Sequence, residues 1–158
     1  PVYSIVAFSN AGKTTLLEKL IPVLRSRGLR SAVIKHDAHE FEIDKPGKDS
    51  WRLTQAGAEV TAVASSTKAA IMENRFVPID ELIARISDVD IILTEGYKQA
   101  DKPAVEVVRS ANSTEIISSP EQRVAIASDI PLDLGVPCYN LDDVASVADL
   151  IEREFLAG

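Results

Sequence analysis

The chain has 158 residues and a formal net charge of −7, from 17 Lys and Arg against 24 Asp and Glu. Its length and its 46% hydrophobic content suit one soluble domain, residues 1–158, and the acidic balance disfavours nucleic-acid binding. No apolar run reaches the roughly 18 residues that cross a bilayer, and the single Cys138 cannot form an internal disulfide, so we expect a cytoplasmic protein.

The first predicted elements are a strand at Val2–Val6, a tight loop and a helix that begins near Lys13. Residues 7–15 read AFSNAGKTT, which is the pattern of a phosphate-binding P-loop except that Ala7 stands where a glycine is usual. Backbone N–H groups of such a loop point at polyphosphate oxygens, and the helix N-terminus adds partial positive charge. The predicted nucleotide-binding residues here are Ser9, Asn10, Ala11, Gly12, Lys13, Thr14 and Thr15.

Apolar periodicity and turn residues predict the rest of the chain. The predicted elements are a helix from about Lys13 to Gly28, a strand at Ser31–Lys35, a helix at Ser50–Ala56 with Asp49 or Ser50 as N-cap, a hairpin of Glu59–Ser65 and Lys68–Glu73, a helix at Pro78–Ser87, strands at Val89–Thr94, Val105–Arg109, Arg123–Ser128 and Val136–Tyr139, and a helix from about Asp142 to Phe155. This alternation predicts an α/β, three-layer P-loop NTPase-like domain. Its sheet is mostly parallel with helices on both faces, and the hairpin is an extension.

The polar loop after the second strand holds both histidines of the chain. His36 and His39 with Asp37 could bind a transition metal, but no cysteine supports such a site. The interpretation that we favour is a role around a Mg-nucleotide. Asp37 or Asp44 would then face the metal or its waters, and anionic groups would meet Lys48 and Arg52. The alternative is a solvated loop in which these charges have no function.

Two further strands each deliver an acidic residue to their carboxyl end. Glu95 follows four apolar or hydroxyl-bearing strand residues, which is where P-loop proteins place a second Mg²⁺ anchor beside the Thr14 hydroxyl. Gly96 could approach the γ-phosphate. Asp129 directly follows the predicted strand Arg123–Ser128, and a carboxylate there can accept two hydrogen bonds from guanine. The other reading of Asp129 is a turn residue before Pro131.

These motifs together resemble the molybdopterin-guanine dinucleotide biosynthesis protein B family. The resemblance rests on SNAGKTT at 9–15, on Lys35-His36-x-x-His39 running into Gly47-Lys48-Asp49-Ser50-x-Arg52, and on Ala56-Gly57-Ala58, Thr94-Glu95-Gly96-Tyr97-Lys98 and Ser128-Asp129. It implies a GTP-binding adapter of molybdenum cofactor biosynthesis that uses GTP and Mg²⁺ and is at most a weak GTPase. It also implies a homodimer, for which the hairpin would supply the contact, and a partnership with the guanylyltransferase that attaches GMP to molybdopterin. The predicted partner or anion contacts are His36, His39, Lys48, Arg52 and Lys98.

Two other functions stay open from the residues alone. A P-loop small-molecule kinase would need an arginine-bearing lid, for which Arg109 and Arg123 are the candidates. A metal-delivery GTPase would use His36 and His39 as ligands. We identify no arginine finger or catalytic glutamine near the P-loop, which predicts slow hydrolysis.

Overall fold

A computed structural model describes residues 2–6, 11–37, 39–97 and 101–155. The chain forms two compact units, one of residues 1–36 with 82–158 and one of residues 37–81. The strands are β1 Val2–Val6, β2 Ser31–Lys35, β3 Val60–Ala64, β4 Ala69–Glu73, β5 Ile91–Glu95, β6 Ala104–Val108, β7 Arg123–Ser128 and β8 Cys138–Asn140. The helices are α1 Lys13–Ser26, α2 Asp49–Gln55, α3 Ile79–Arg85 and α4 Val144–Phe155.

The larger unit is built on a six-stranded sheet in the order β2-β5-β1-β6-β7-β8. All five neighbouring pairs are parallel, so the predicted α/β class with a mostly parallel sheet is confirmed. Strand β1 lies at the centre, between β5 and β6, although both of these follow it by a long stretch of chain. The carboxyl ends of the strands therefore lie at one edge of the sheet.

Helices α1 and α4 pack together over one face of this sheet and bury its main core. Helix α1 contributes leucines at helical spacing, among which Leu20 and Leu24 have no exposed surface. Alternate strand residues face the same core, because successive side chains of a strand point to opposite faces. They are Ile91, Leu93, Val105, Val107, Ala125 and Ala127.

Buried polar side chains on the central strands are held by hydrogen bonds. Glu106 in β6 has no exposed surface, and its two carboxylate oxygens accept hydrogen bonds from the backbone N–H groups of Ile117 and Ser118, at 3.1 and 2.7 Å. A buried polar side chain needs such partners. Glu106 therefore fixes the course of the helix-free chain between β6 and β7.

The smaller unit contains α2 and the two-stranded sheet of β3 and β4. The strands pair antiparallel from Val60↔Glu73 to Ala64↔Ala69, which confirms the predicted hairpin around Ser66 and Thr67. The predicted N-cap of α2 was wrong. The cap position is Lys48, whose side chain makes no capping hydrogen bond, and Asp49 is already the first helical residue. No helix in the described ranges is long and apolar enough to cross a membrane.

Candidate nucleotide site

The P-loop residues that the structure describes surround the start of α1. Gly12 is the N-cap with φ +97°, and its carbonyl accepts the first helical hydrogen bond from the Leu16 N–H at 2.9 Å. Ala11 is buried in the core, so the loop is anchored where it joins the helix. Ser9 and Asn10 lie outside the described residues. Lys13, Thr14 and Thr15 form the first helical turn, as predicted.

The structure brings together two of the three residues that were predicted to hold Mg²⁺, Thr14 and Glu95, and it shows no contact of Asp37 with either among the described residues. The Thr14 hydroxyl donates to Glu95 Oε1 at 2.8 Å, across 81 positions of sequence. Glu95 is the last residue of β5, and only 8% of its surface is exposed.

This oxygen pair fits a magnesium ion. Hydroxyl and carboxylate oxygens are hard ligands of the kind that Mg²⁺ prefers. Adjacent ligands of an octahedral Mg²⁺ with bonds of about 2.05 Å are about 2.9 Å apart. The observed 2.8 Å between Thr14 and Glu95 is close to that separation, so both oxygens can serve one ion with little movement.

Gly96 directly follows β5, beside the residue that follows β2. The His36 N–H donates to the Glu95 carbonyl at 2.8 Å, which continues the β2–β5 ladder by one bond. A β-carbon on Gly96, whose φ is +93°, would lie 2.9 Å from the His36 carbonyl oxygen. Only glycine accommodates both the torsion angle and the contact.

Tyr97 packs against His36, and sequence reasoning gave it no role of its own. The two ring centroids are 4.9 Å apart with an interplanar angle of 41°. Partial burial raises the pKa of the Tyr97 phenol above its usual value. The pair joins the turn after β2 to the turn after β5, beside Glu95.

Asp129 follows β7 and is held by a residue that follows β6. Its Oδ1 accepts the Ser110 N–H at 2.8 Å and its Oδ2 accepts the Ser110 hydroxyl at 2.9 Å. These bonds hold the pKa of Asp129 below its usual range, with the Ser110 backbone N–H as the largest cause. An ionised carboxylate has about four lone-pair sites, so each oxygen can accept one more donor, such as those of guanine.

Arg109, which the sequence offered only as a candidate for a kinase lid, lies close to Gly12 of the P-loop. Its guanidinium Nη2 is 3.2 Å from where a β-carbon of Gly12 would lie. Arg109 therefore lies beside the P-loop residue Gly12, and the prediction that no arginine finger acts there stays a prediction. The available signal was position, because Arg109 directly follows a buried strand, as Glu95 ends one and Asp129 follows another.

The remaining predicted residues belong to the smaller unit or lie outside the described residues. Asp37 accepts the His39 N–H at 3.2 Å, in a local turn. His39, Lys48 and Arg52 are exposed, and Lys98 falls outside the described residues. Asp44 Oδ2 is buried without a hydrogen-bond partner among the described residues. In the described part of the chain, no three His, Cys, Asp or Glu side chains come together as a metal site.

Comparison with known proteins gives one consistent result. The family model described as "Molybdopterin guanine dinucleotide synthesis protein B" matches residues 2–129. The "Molybdopterin-guanine dinucleotide biosynthesis adapter protein" of Escherichia coli (strain K12) is 38% identical over 159 aligned positions, covering 96% of this chain and 91% of that protein. The protein of the same name from Haemophilus influenzae is 36% identical, covering 97% of this chain and 88% of that protein.

The fold is similar to solved structures of the same kind. The crystal structure of Bacillus subtilis MobB superposes with a TM-score of 0.80 at 28% sequence identity. The superposition covers 97% of this chain and 96% of that one. The similarity therefore extends over nearly the whole length of both proteins.

Proposed function

This chain belongs to the molybdopterin guanine dinucleotide synthesis protein B family and is an adapter protein of molybdenum cofactor biosynthesis, and we propose that it does this work as a Mg·GTP-binding protein. The observation that carries the proposal is the hydrogen bond of 2.8 Å between Thr14 and Glu95. It joins the residue after the P-loop lysine to the acid at the end of β5, which is the pair that a Mg-nucleotide site requires.

Each part of the nucleotide has a proposed contact. Lys13 and the backbone of residues 9–15 bind the phosphates, and Gly96 lies against the terminal phosphate. Thr14 and Glu95 hold Mg²⁺, which neutralises phosphate charge when it is bound, and Asp37 is a further proposed ligand. Asp129 accepts hydrogen bonds from the guanine donors, and Ser110 keeps its carboxylate ionised and oriented for this purpose.

The metal contact is tested by replacing Glu95 with glutamine. Glu95→Gln keeps the shape and removes the charge, so it should weaken Mg·GTP binding about tenfold or more, with little change in metal-free GTP binding. Calorimetric titrations of both proteins with Mg²⁺ and with EDTA give four affinities. An equal loss in the two conditions would show that Glu95 contacts the nucleotide directly. No loss in either would leave the metal to Asp37 or Asp44.

We propose that nucleotide binding serves partner binding and not rapid turnover, so the chain is at most a weak GTPase. The proposed partner is the guanylyltransferase of molybdopterin-guanine dinucleotide synthesis. Its proposed contacts are the basic and imidazole side chains His36, His39, Lys48, Arg52 and Lys98. A pull-down from a lysate that produces molybdenum cofactor, with and without GTP, should capture the enzyme more strongly with GTP. The Lys13→Ala variant should lose this dependence on GTP.

We also propose a homodimer through the hairpin of the smaller unit. Both strands of a two-stranded sheet have an open edge, which invites pairing with another chain. The hairpin exposes large apolar side chains, with Val60 54% and Ile71 71% exposed, and Phe76 just after β4 is 82% exposed. Apolar surface of this kind is typical of an interface.

The dimer is tested by Ile71→Asp, with Phe41→Asp as the matched control. Phe41 is 69% exposed in the same unit but lies outside the hairpin. Analytical ultracentrifugation should show a dimer for the unmodified protein and the control, and a monomer for Ile71→Asp. A dimer that survives Ile71→Asp would exclude this surface.

A further inference from the structure

Arg109 lies against the glycine that begins α1. Strand β6 pairs in parallel with β1 from Ser4↔Ala104 to Val6↔Glu106, so β6 continues for two residues beyond the partner of Val6, the last residue of β1. Arg109 follows its last residue, and three guanidinium atoms, Nη2, Nε and Cζ, lie 3.2, 3.7 and 3.9 Å from the β-carbon position of Gly12. Because Gly12 has no side chain, the guanidinium can occupy space that a β-carbon at this position would crowd.

The backbone at Arg109 is held in place. Its carbonyl accepts hydrogen bonds from the N–H groups of Asn112 and Ser113, at 2.9 and 3.1 Å. The side chain is half-buried and makes no hydrogen bond or ion pair with any residue of the described ranges. The backbone of Arg109 is therefore held in place, and within the described part of the chain its guanidinium N–H groups have no acceptor.

Two acids whose pKa values are lowered in part by the charge of Arg109 already have other partners. Asp129 accepts two hydrogen bonds from Ser110, and Asp142 accepts one from the Lys19 ammonium at 2.6 Å. The pKa of Asp142 is lowered chiefly by Lys19 and that of Asp129 chiefly by Ser110, with the charge of Arg109 a smaller contributor to both. Arg109 thus lies within electrostatic range of both carboxylates without being bound by either.

We infer that Arg109 is a phosphate-binding residue of the nucleotide site, a second cation that approaches the polyphosphate from the β6 side of the P-loop. This inference rests on the proposed nucleotide-binding function. A triphosphate carries several negative charges, and the protein itself carries −7, so binding needs cations placed at the loop. The planar guanidinium suits the task, because its fork of N–H donors can bind two phosphate oxygens at once.

The test compares Arg109→Gln, Arg109→Lys and a control, Arg30→Gln. Arg30 precedes β2 at the opposite edge of the sheet and is 66% exposed, so its replacement makes the same change in net charge away from the site. Calorimetry with GTP and with inorganic tripolyphosphate, both with Mg²⁺, separates phosphate contacts from base and ribose contacts. Arg109→Gln should raise both Kd values tenfold or more. Arg109→Lys should be intermediate, because it keeps the charge and loses the fork.

The control should stay within twofold of the unmodified protein for both ligands. Unchanged Kd values in Arg109→Gln would overturn the inference, and so would a loss with GTP alone, which would place Arg109 at the base or ribose. If Arg109→Gln does not fold, Arg109→Lys decides, and unmodified affinity for both ligands in that variant overturns the inference. If the unmodified protein binds tripolyphosphate but not GTP, the proposed function fails while the role of Arg109 is still measured.

Discussion

Replacing Gly96 with alanine should destabilise the nucleotide-free protein, because the turn after β5 has no room for a β-carbon. The residue has φ +93°, in the left-handed region that costs other residues about 1–2 kcal/mol. The new β-carbon would also lie 2.9 Å from the His36 carbonyl oxygen. That oxygen belongs to backbone held by the hydrogen bond between the His36 N–H and the Glu95 carbonyl, so it cannot move away freely.

The two effects add to a measurable loss. Forcing an extra carbon into a packed place costs about 1–3 kcal/mol, so the total is about 3 kcal/mol. For a protein of this length, that corresponds to a fall in Tm of about 6–12 °C. Thermal unfolding followed by circular dichroism, without nucleotide, measures it.

Gly28→Ala is the matched control. Gly28 follows α1 with φ +82°, and nothing lies within 4 Å of its β-carbon position. This variant carries the torsional strain without the close contact and should lose only the torsional part, about 1–2 kcal/mol. Equal losses in Gly96→Ala and Gly28→Ala would refute the argument, because the contact with His36 would then contribute nothing.

Three further changes test hydrogen-bonded acids and their partners on or just after β6 and β7. Asp129→Asn should reduce the preference for GTP over ATP, because an amide can turn only one acceptor toward two guanine donors, and competition binding with both nucleotides measures it. Ser110→Ala should raise the pKa of Asp129 toward its usual value of about 3.9, since one of its two hydrogen bonds is lost, and an NMR titration of the carboxyl carbon follows it. In the unmodified protein, ionised Asp129 stabilises the folded state until the pH falls through its lowered pKa. In Ser110→Ala the pKa is higher, so this stabilisation is lost at a higher pH. Glu106→Gln should lower the free energy of unfolding, measured in urea, by about 2 kcal/mol. The amide nitrogen would be a hydrogen-bond donor placed against the backbone N–H of Ile117 or Ser118, which is also a donor, so that N–H would lose its acceptor.

The main elements of the fold could be predicted from the sequence because their signals are local. The leucines of α1 recur at helical spacing, and the described helix Lys13–Ser26 buries Leu16, Leu17, Leu20 and Leu24. The strand at Arg123–Ser128 matches its prediction at both ends. The strand predicted at Val89–Thr94 is instead Ile91–Glu95, which makes Glu95 its last residue.

The contacts that build the candidate site depend on strand order, which has no local signal. The pairing of Thr14 with Glu95 could be expected, because P-loop proteins place an acid after a strand beside β1. The approach of Arg109 to Gly12 could not be expected from the sequence, because it requires β6 to be the second neighbour of β1 in the sheet. The two bonds from Ser110 to Asp129 likewise require β6 and β7 to be adjacent.

The central claim is that this adapter protein binds GTP through its P-loop. Its most direct test is a calorimetric titration of the unmodified protein and of Lys13→Ala with GTP and with ATP, in excess Mg²⁺. We expect GTP to bind at least tenfold more tightly than ATP, which needs only about 1.4 kcal/mol of differential contact. Lys13→Ala should show no measurable binding of either nucleotide. Equal affinity for GTP and ATP, or unchanged GTP affinity in Lys13→Ala, would contradict the account.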